Sequence, residues 1–238
     1  MRINNGDSRA VKRLDRGAQL DFATRLAETG ARSLAVFGDS ITAGIAASRP
    51  ELAWPQRFAR GAGLGEVRNH AISGTVLQGS LLADGKPRPD NGIGRYRVLL
   101  EPASADAVAI LYGYNDARYT AAPATMNPGN FRRDYEVLLQ ALTDSPYAGR
   151  IAIGSPPFIP TRGFAVGSAG FTGQTRAGFE AYVDMVRELA QKFDVFYAPV
   201  YEAMREHGDG ALGSPDVTHP NDAGHAAIAA AFLSAKAP

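Results

Sequence analysis

Apolar residues along this chain follow two rhythms: short unbroken runs, and longer stretches with apolar positions three or four apart. The runs fall at 34–37, leading straight into Gly38, at 106–112 with its Ala-Val-Ala-Ile-Leu core, at 150–154 before Pro156-Pro157, and at 195–198, and the mixed stretch 66–71 between the first two is read as a further, shorter strand. Continuous apolar runs bounded by turn residues predict strands buried on both faces of a sheet. Helical spacing joins Leu14, Ala18, Phe22 and Leu26, a stripe that Gly30 would end. Further helices are expected at 54–62, with Pro55 in the first turn, at 130–142, at 175–192 and at 221–235. Strands alternating with helices predict a parallel sheet covered on both faces.

Three stretches keep neither rhythm: 77–94, 117–129 and 159–174, the last carrying Gly163, Gly167, Gly170 and Gly173. Long irregular insertions of this kind are usually lids, binding loops or solvated surface. No repeat or linker divides the chain, so 238 residues are read as one domain over 1–238, with 1–32 as an N-terminal extension and helix.

Composition narrows the field by exclusion. A formal net charge of +1 offers no electrostatic case for nucleic acid or an acidic membrane surface. With no cysteine, the chain has no disulfide scaffold, thiolate nucleophile or cysteine-ligated metal. Charges run throughout residues 1–32, unlike a signal peptide, and no window approaches a membrane span. A cytoplasmic protein is expected.

The run at 34–37 ends in Gly38-Asp39-Ser40-Ile41-Thr42. Open α/β sheets place their chemistry at the carboxyl ends of strands, where backbone N–H groups can stabilise an anion. Ser40 would stand there, although a serine after a strand also serves as a helix cap. Asp39 beside it suits bracing of the turn, and a fixed negative charge there speaks against a phosphate-binding loop, which would need Gly-x-x-x-x-Gly-Lys-Ser/Thr. Near the other end lies Asp216-Val217-Thr218-His219-Pro220. An Asp three positions before a His can accept from its Nδ1–H, leaving Nε2 as a base. A surface His beside a turn Asp is the plainer reading, and a metal set of Asp216, His219, Asp222 and His225 is a weaker one, because the two His are six apart. Gly74 ends Asn69-His70-Ala71-Ile72-Ser73-Gly74, and Asn115 lies in Gly113-Tyr114-Asn115-Asp116 after the third expected strand. Both can be turn residues, or a backbone N–H and a side-chain amide offered to an oxyanion. His70 and His225 read as structural, and His207 as a helix-end residue.

Taken in order, these four blocks resemble those of the GDSL or SGNH hydrolases, with Ile41 in place of the eponymous leucine. The resemblance implies a flavodoxin-like α/β/α three-layer sandwich around five parallel strands. It also implies Ser40 as nucleophile, His219 as base, Asp216 as its orienter, and an oxyanion hole of Ser40 N–H, Gly74 N–H and the Asn115 side chain. No metal or organic cofactor is required by that chemistry. The Gly-x-Ser-x-Gly elbow of α/β-hydrolases is absent at Ser40. The expected substrate is a small-molecule carboxylic ester, with neither nucleic acid nor membrane as partner. Arg88, Arg118, Tyr119, Arg162 and Gln174 in the irregular stretches, without a long apolar run, suggest a short acyl group such as acetyl on a sugar or other small alcohol. Thioesterase or lysophospholipase activity, or a binding module on the same fold, are the alternatives.

Overall fold

The computed structural model describes residues 20–238 except 82, 83, 85, 87, 102–104, 168, 169 and 209. The Leu14 and Ala18 turns of the expected first helix lie outside the described residues. Its remainder is α1 (Phe22–Thr29), which starts where the Asp21 carboxylate accepts from Thr24 N–H and stops at Gly30 in the left-handed region.

All five expected strands are present: β1 (Ser33–Gly38), β2 (Glu66–Asn69), β3 (Ala107–Leu111), β4 (Ile151–Gly154) and β5 (Phe196–Ala198). They form one parallel sheet in the order β2-β1-β3-β4-β5. Every residue of β1, β3 and β4 is buried, as continuous apolar runs require. The edge strand β2 is partly exposed, and its sequence, Glu-Val-Arg-Asn, is correspondingly polar.

Two groups of helices flank the sheet. On one side α1 and α3 (Trp54–Gly61) pack with α9 (Asp222–Leu233), which also meets α8 (Val200–Arg205). Trp54 stacks on Phe232 with centroids 4.7 Å apart and rings inclined by 7°, locking α3 to α9. On the other side α6 (Pro128–Thr143) packs with α7 (Arg176–Phe193) and with α4 (Gly92–Arg95). The fold is thus the expected α/β architecture. The one-turn helices α2 (Ser40–Ala43), α4, α5 (Tyr114–Arg118) and α8 are additions to the sequence reading, being too short to show a helical period.

Sheet order positions the site. Chain order reverses between β1 and β3, and a crevice opens beyond the strand ends at such a switch point. Gly38 pairs with Leu111 there, so the segments leaving β1 and β3 emerge side by side.

Candidate active site

The turn after β1 is set by close packing. A Cβ on Gly38 would stand 2.2 Å from Thr42 Oγ1 and 2.6 Å from the Leu111 carbonyl, so only glycine fits against β3. Asp39 caps α2 by accepting from Ile41 N–H at 2.9 Å. Burial pushes its carboxyl up to about 7, opposed by the Ile41 bond and reinforced by the nearby Asp116. Ser40 opens α2, buried, and its backbone N–H has no acceptor among the described residues.

The second component arrives from the loop before α9. Asp216 accepts from Ser214 Oγ at 2.7 Å, from the backbone N–H groups of Thr218 and His219 at 2.8 Å each, and from His219 Nδ1 at 2.6 Å. Burial alone would raise this carboxyl. The bonds from His219, Ser214 and Thr218 outweigh it and hold the group well below the usual carboxylate range. Between them Val217 adopts φ 60°, a left-handed conformation that costs a β-branched residue about 1–3 kcal/mol. The loop is pinned by Ser214 N–H on the His219 carbonyl at 2.8 Å, and α9 is capped by Asn221, whose side chain accepts from Gly224 N–H.

His219 Nε2 lies 2.9 Å from Ser40 Oγ. A carboxylate can only accept, so Nδ1 carries the proton and the Nε2 lone pair faces the hydroxyl. Hydroxyl, imidazole and carboxylate stand in series, an arrangement that can draw a proton from Ser40 and return it to a leaving group.

Two further groups come from the neighbouring strand ends. Gly74 has φ 78°, with open space where a Cβ would stand, so the requirement for glycine is conformational. Its N–H has no acceptor among the described residues. Asn115 is buried in α5, and its Nδ2 donates to the Thr75 carbonyl at 3.0 Å, which fixes the amide beside Gly74. The next residue, Asp116, is wholly buried and accepts from Leu77 and Gln78 N–H, tying the segment after Gly74 to α5.

Other polar residues singled out in the sequence have different work. His225 is buried, its Nδ1 accepting from Trp54 N–H at 3.3 Å and its Nε2 donating to the Ile45 carbonyl at 3.1 Å. Asp222 binds Ser48 through backbone and hydroxyl. The metal set of the sequence reading is therefore divided, with two of its members engaged in holding the 45–54 loop to α9. Among the described residues no group of three or more acidic or histidine side chains is placed to hold a metal ion. His207 pairs with the Ala203 carbonyl behind α8, as a helix-end residue does.

A cavity of about 330 Å³ opens at Gly74, lined among others by Val76, Leu81, Arg88, Asn91, Tyr119 and Phe171. Arg88 and Tyr119 are thus pocket residues as expected. Arg118 is not: it is buried over the Tyr114 ring and donates to the Val166 carbonyl. Gln174 donates to the Ala117 carbonyl at 2.5 Å, and Arg162 lies against Gly210. With Thr120 bonded to the carbonyls of Gly170 and Thr172, the Arg118 and Gln174 contacts tether the glycine-rich loop to α5 and the segment after it. Asn91 and Phe171 escaped the sequence reading because single residues in an aperiodic stretch carry no pattern.

Residues 36–227 match the model of the GDSL-like lipase/acylhydrolase family. The chain belongs to that family. Membership makes it a carboxylic ester hydrolase, acting on a small-molecule ester. No curated protein matches the chain by sequence. Among solved structures, a lipase/acylhydrolase from Enterococcus faecalis aligns over 85% of this chain and 93% of its own, with 20% identity and a TM-score of 0.62. An acetylxylan esterase from Geobacillus stearothermophilus aligns over 85% and 92%, with 20% identity and a TM-score of 0.60. LAE5, an alpha/beta hydrolase enzyme from the metagenome of Lake Arreo, aligns over 85% and 93%, with 23% identity and a TM-score of 0.59. At these identities the likeness is one of fold. No described helix of this GDSL-like acylhydrolase is long and apolar enough to cross a membrane.

Proposed function

We propose that the protein cleaves carboxylic esters through an acyl-enzyme on Ser40. His219 Nε2 takes the Ser40 proton as Oγ attacks the ester carbonyl, and Asp216 holds the imidazolium that forms. Charge on the carbonyl oxygen is received by Ser40 N–H, Gly74 N–H and the Asn115 amide. His219 then protonates the departing alcohol, activates a water against the acyl-enzyme, and the acid leaves as Ser40 recovers its proton. The observation that carries this reading is the Ser40–His219 contact of 2.9 Å, with Asp216 on the opposite ring nitrogen.

The substrate we propose is a short-acyl, acetyl-type ester of a sugar or other small alcohol. The cavity beside Gly74 has room for one ring-sized group and carries polar residues Ser80, Arg88 and Asn91. Asn91 has a buried side-chain oxygen without a partner among the described residues, an acceptor suited to a substrate hydroxyl. The acetylxylan esterase among the structural neighbours is named for such a substrate. A second reading, a thioesterase or lysophospholipase with a longer acyl group, is favoured by the apolar part of the same wall, Val76, Leu81, Met126 and Phe171.

Hydrolysis of 4-nitrophenyl acetate by wild type and Ser40→Ala tests the chemistry, with an organophosphonate label mapped by mass spectrometry. Turnover that disappears in the variant, with the label on Ser40, is expected. Undiminished turnover in Ser40→Ala refutes the acyl-enzyme.

A further inference from the structure

Several interactions converge on Arg95, the last residue of α4. Its Nε–H donates to the Asp90 carbonyl at 2.8 Å, and its terminal nitrogens donate to the His70 carbonyl, to the Gly38 carbonyl at 3.2 Å and to the Tyr112 hydroxyl at 2.6 Å. The guanidinium lies over the Phe37 ring, 4.3 Å from its centroid. Gly38 ends β1 and precedes Ser40 by two residues; His70 follows β2 on the way to Gly74; Tyr112 follows β3 and precedes Asn115 by three. One side chain therefore touches the carboxyl ends of all three strands from which the proposed oxyanion donors emerge.

The contact continues past the guanidinium. Thr75 Oγ1 donates to the Ile72 carbonyl at 2.8 Å, so the 3.0 Å contact between Thr75 Oγ1 and the Tyr112 hydroxyl has tyrosine as donor. Tyrosine in turn accepts from Arg95. Each hydroxyl in the line gives one hydrogen bond and accepts one, and the Thr75 carbonyl accepts from Asn115 Nδ2. The segment 72–75, which carries Gly74, is held at one end by this line and at the other by Ile72 N–H on the Gly38 carbonyl, the same oxygen that Arg95 binds.

We infer that Arg95 is a positioning residue for ester hydrolysis. Through Gly38, His70 and the Tyr112–Thr75 line it sets the separation of Ser40 N–H, Gly74 N–H and the Asn115 amide. This rests on the reading of those groups as the oxyanion hole. Three donors drawn from three loops hold a fixed geometry only if the loops are cross-braced, and the guanidinium fork spreads its donors over three nitrogens to meet four separate acceptors, where an ammonium has three donors on a single atom.

The test is steady-state hydrolysis of 4-nitrophenyl acetate by Arg95→Lys, Arg95→Ala, Tyr112→Phe, Asn115→Ala and the Arg95→Ala/Asn115→Ala pair, with melting temperatures for each and Ser40→Ala as control. A misplacement near 1 Å costs about 100-fold, so a folded Arg95→Lys is expected to lose about 10- to 100-fold in kcat with KM changed less than about threefold. Tyr112→Phe should lose kcat in the same manner, and added guanidinium should restore part of the Arg95→Ala loss. Because the brace acts in part through Asn115, the double variant should lose less than the full product of the two single effects. Wild-type kcat in Arg95→Lys, or a double variant that loses the full product of the two single effects, would overturn the inference. Should Arg95→Ala fail to fold, Arg95→Lys and Tyr112→Phe decide. Activity that survives Ser40→Ala instead removes the reading underneath, and is a distinct result from a brace that proves dispensable while Ser40→Ala is inactive and Asn115→Ala is impaired.

Discussion

Asp39 and Asp216 are both carboxylates close to the Ser40 hydroxyl, and their surroundings drive them in opposite directions. Asp216 is half exposed and collects hydrogen bonds to its charged form, so it stays ionised across the working range and can orient His219. Asp216→Asn keeps the shape of that carboxylate but can present the wrong hydrogen-bond partner to Nδ1. We expect a loss of about 10³–10⁴-fold in kcat, readable from one kinetic series. Asp39 is buried and titrates near 7 in the folded protein, against an ordinary value of 3.8. Between those values the folded state holds a proton that the unfolded state has lost, so this group makes the protein less stable as pH rises from about 4 to about 7. Asn can cap α2 as Asp does. Asp39→Asn should therefore flatten that part of the stability curve, and urea melts at pH 5 and pH 8 should differ less in the variant than in wild type. An unchanged difference would mean that Asp39 stays charged in the fold. On the proposed mechanism Asn115→Ala removes one of three oxyanion donors and should lower kcat by about 10²–10³-fold while KM stays nearly constant.

At the scale of elements, the site depends on where short helices begin. α5 starts at Gly113, whose φ of 110° is closed to other residues and whose added Cβ would stand 2.9 Å from Pro156. Gly113→Ala should cost more than about 1 kcal/mol and displace Asn115, so melting temperature and kcat should fall together. On the opposite side, α9 supports the His219 loop through its capped first turn and is itself seated by Phe232 against Trp54. Phe232→Ala should destabilise the fold by about 3–5 kcal/mol, measured by urea unfolding. A much smaller loss would show that α3 and α9 can close the gap.

Over the whole molecule, strand order and two loop clamps bring distant segments together. Ser48 on Asp222, and Ile45 with Trp54 on His225, join the segment after Ser40 to the helix after His219. The proposed substrate site belongs to the same scale, because the cavity at Gly74 is walled by segments before α4 and after α5. For aryl esters of increasing acyl length we expect a maximum at the acetyl or propionyl end. A maximum at eight or more carbons would favour the apolar wall as an acyl site and the second reading of the substrate.

Much of this could be read from the amino acids in order, and the reason is local. A strand buried on both faces must be apolar at every position, which made β1, β3 and β4 visible, and a long helix must repeat its apolar face, which made α6 and α7 visible. The residue types of the site were visible for a similar reason: Gly74 and Gly113 answer to backbone geometry within their own turns, and Asp216 to the His three residues on, whereas the need for Gly38 comes from Thr42 and from the Leu111 carbonyl across the sheet. Other features had no local trace. Ser40 and His219 are 179 positions apart, and only the order of the sheet and the packing of α9 set them 2.9 Å from each other. Arg118, Gln174 and Arg88 looked alike as polar residues of irregular stretches, yet two of them brace a loop and the third lines a cavity. Which acceptor a long side chain finds depends on the chain folded around it, and that information exists only once the strands have paired.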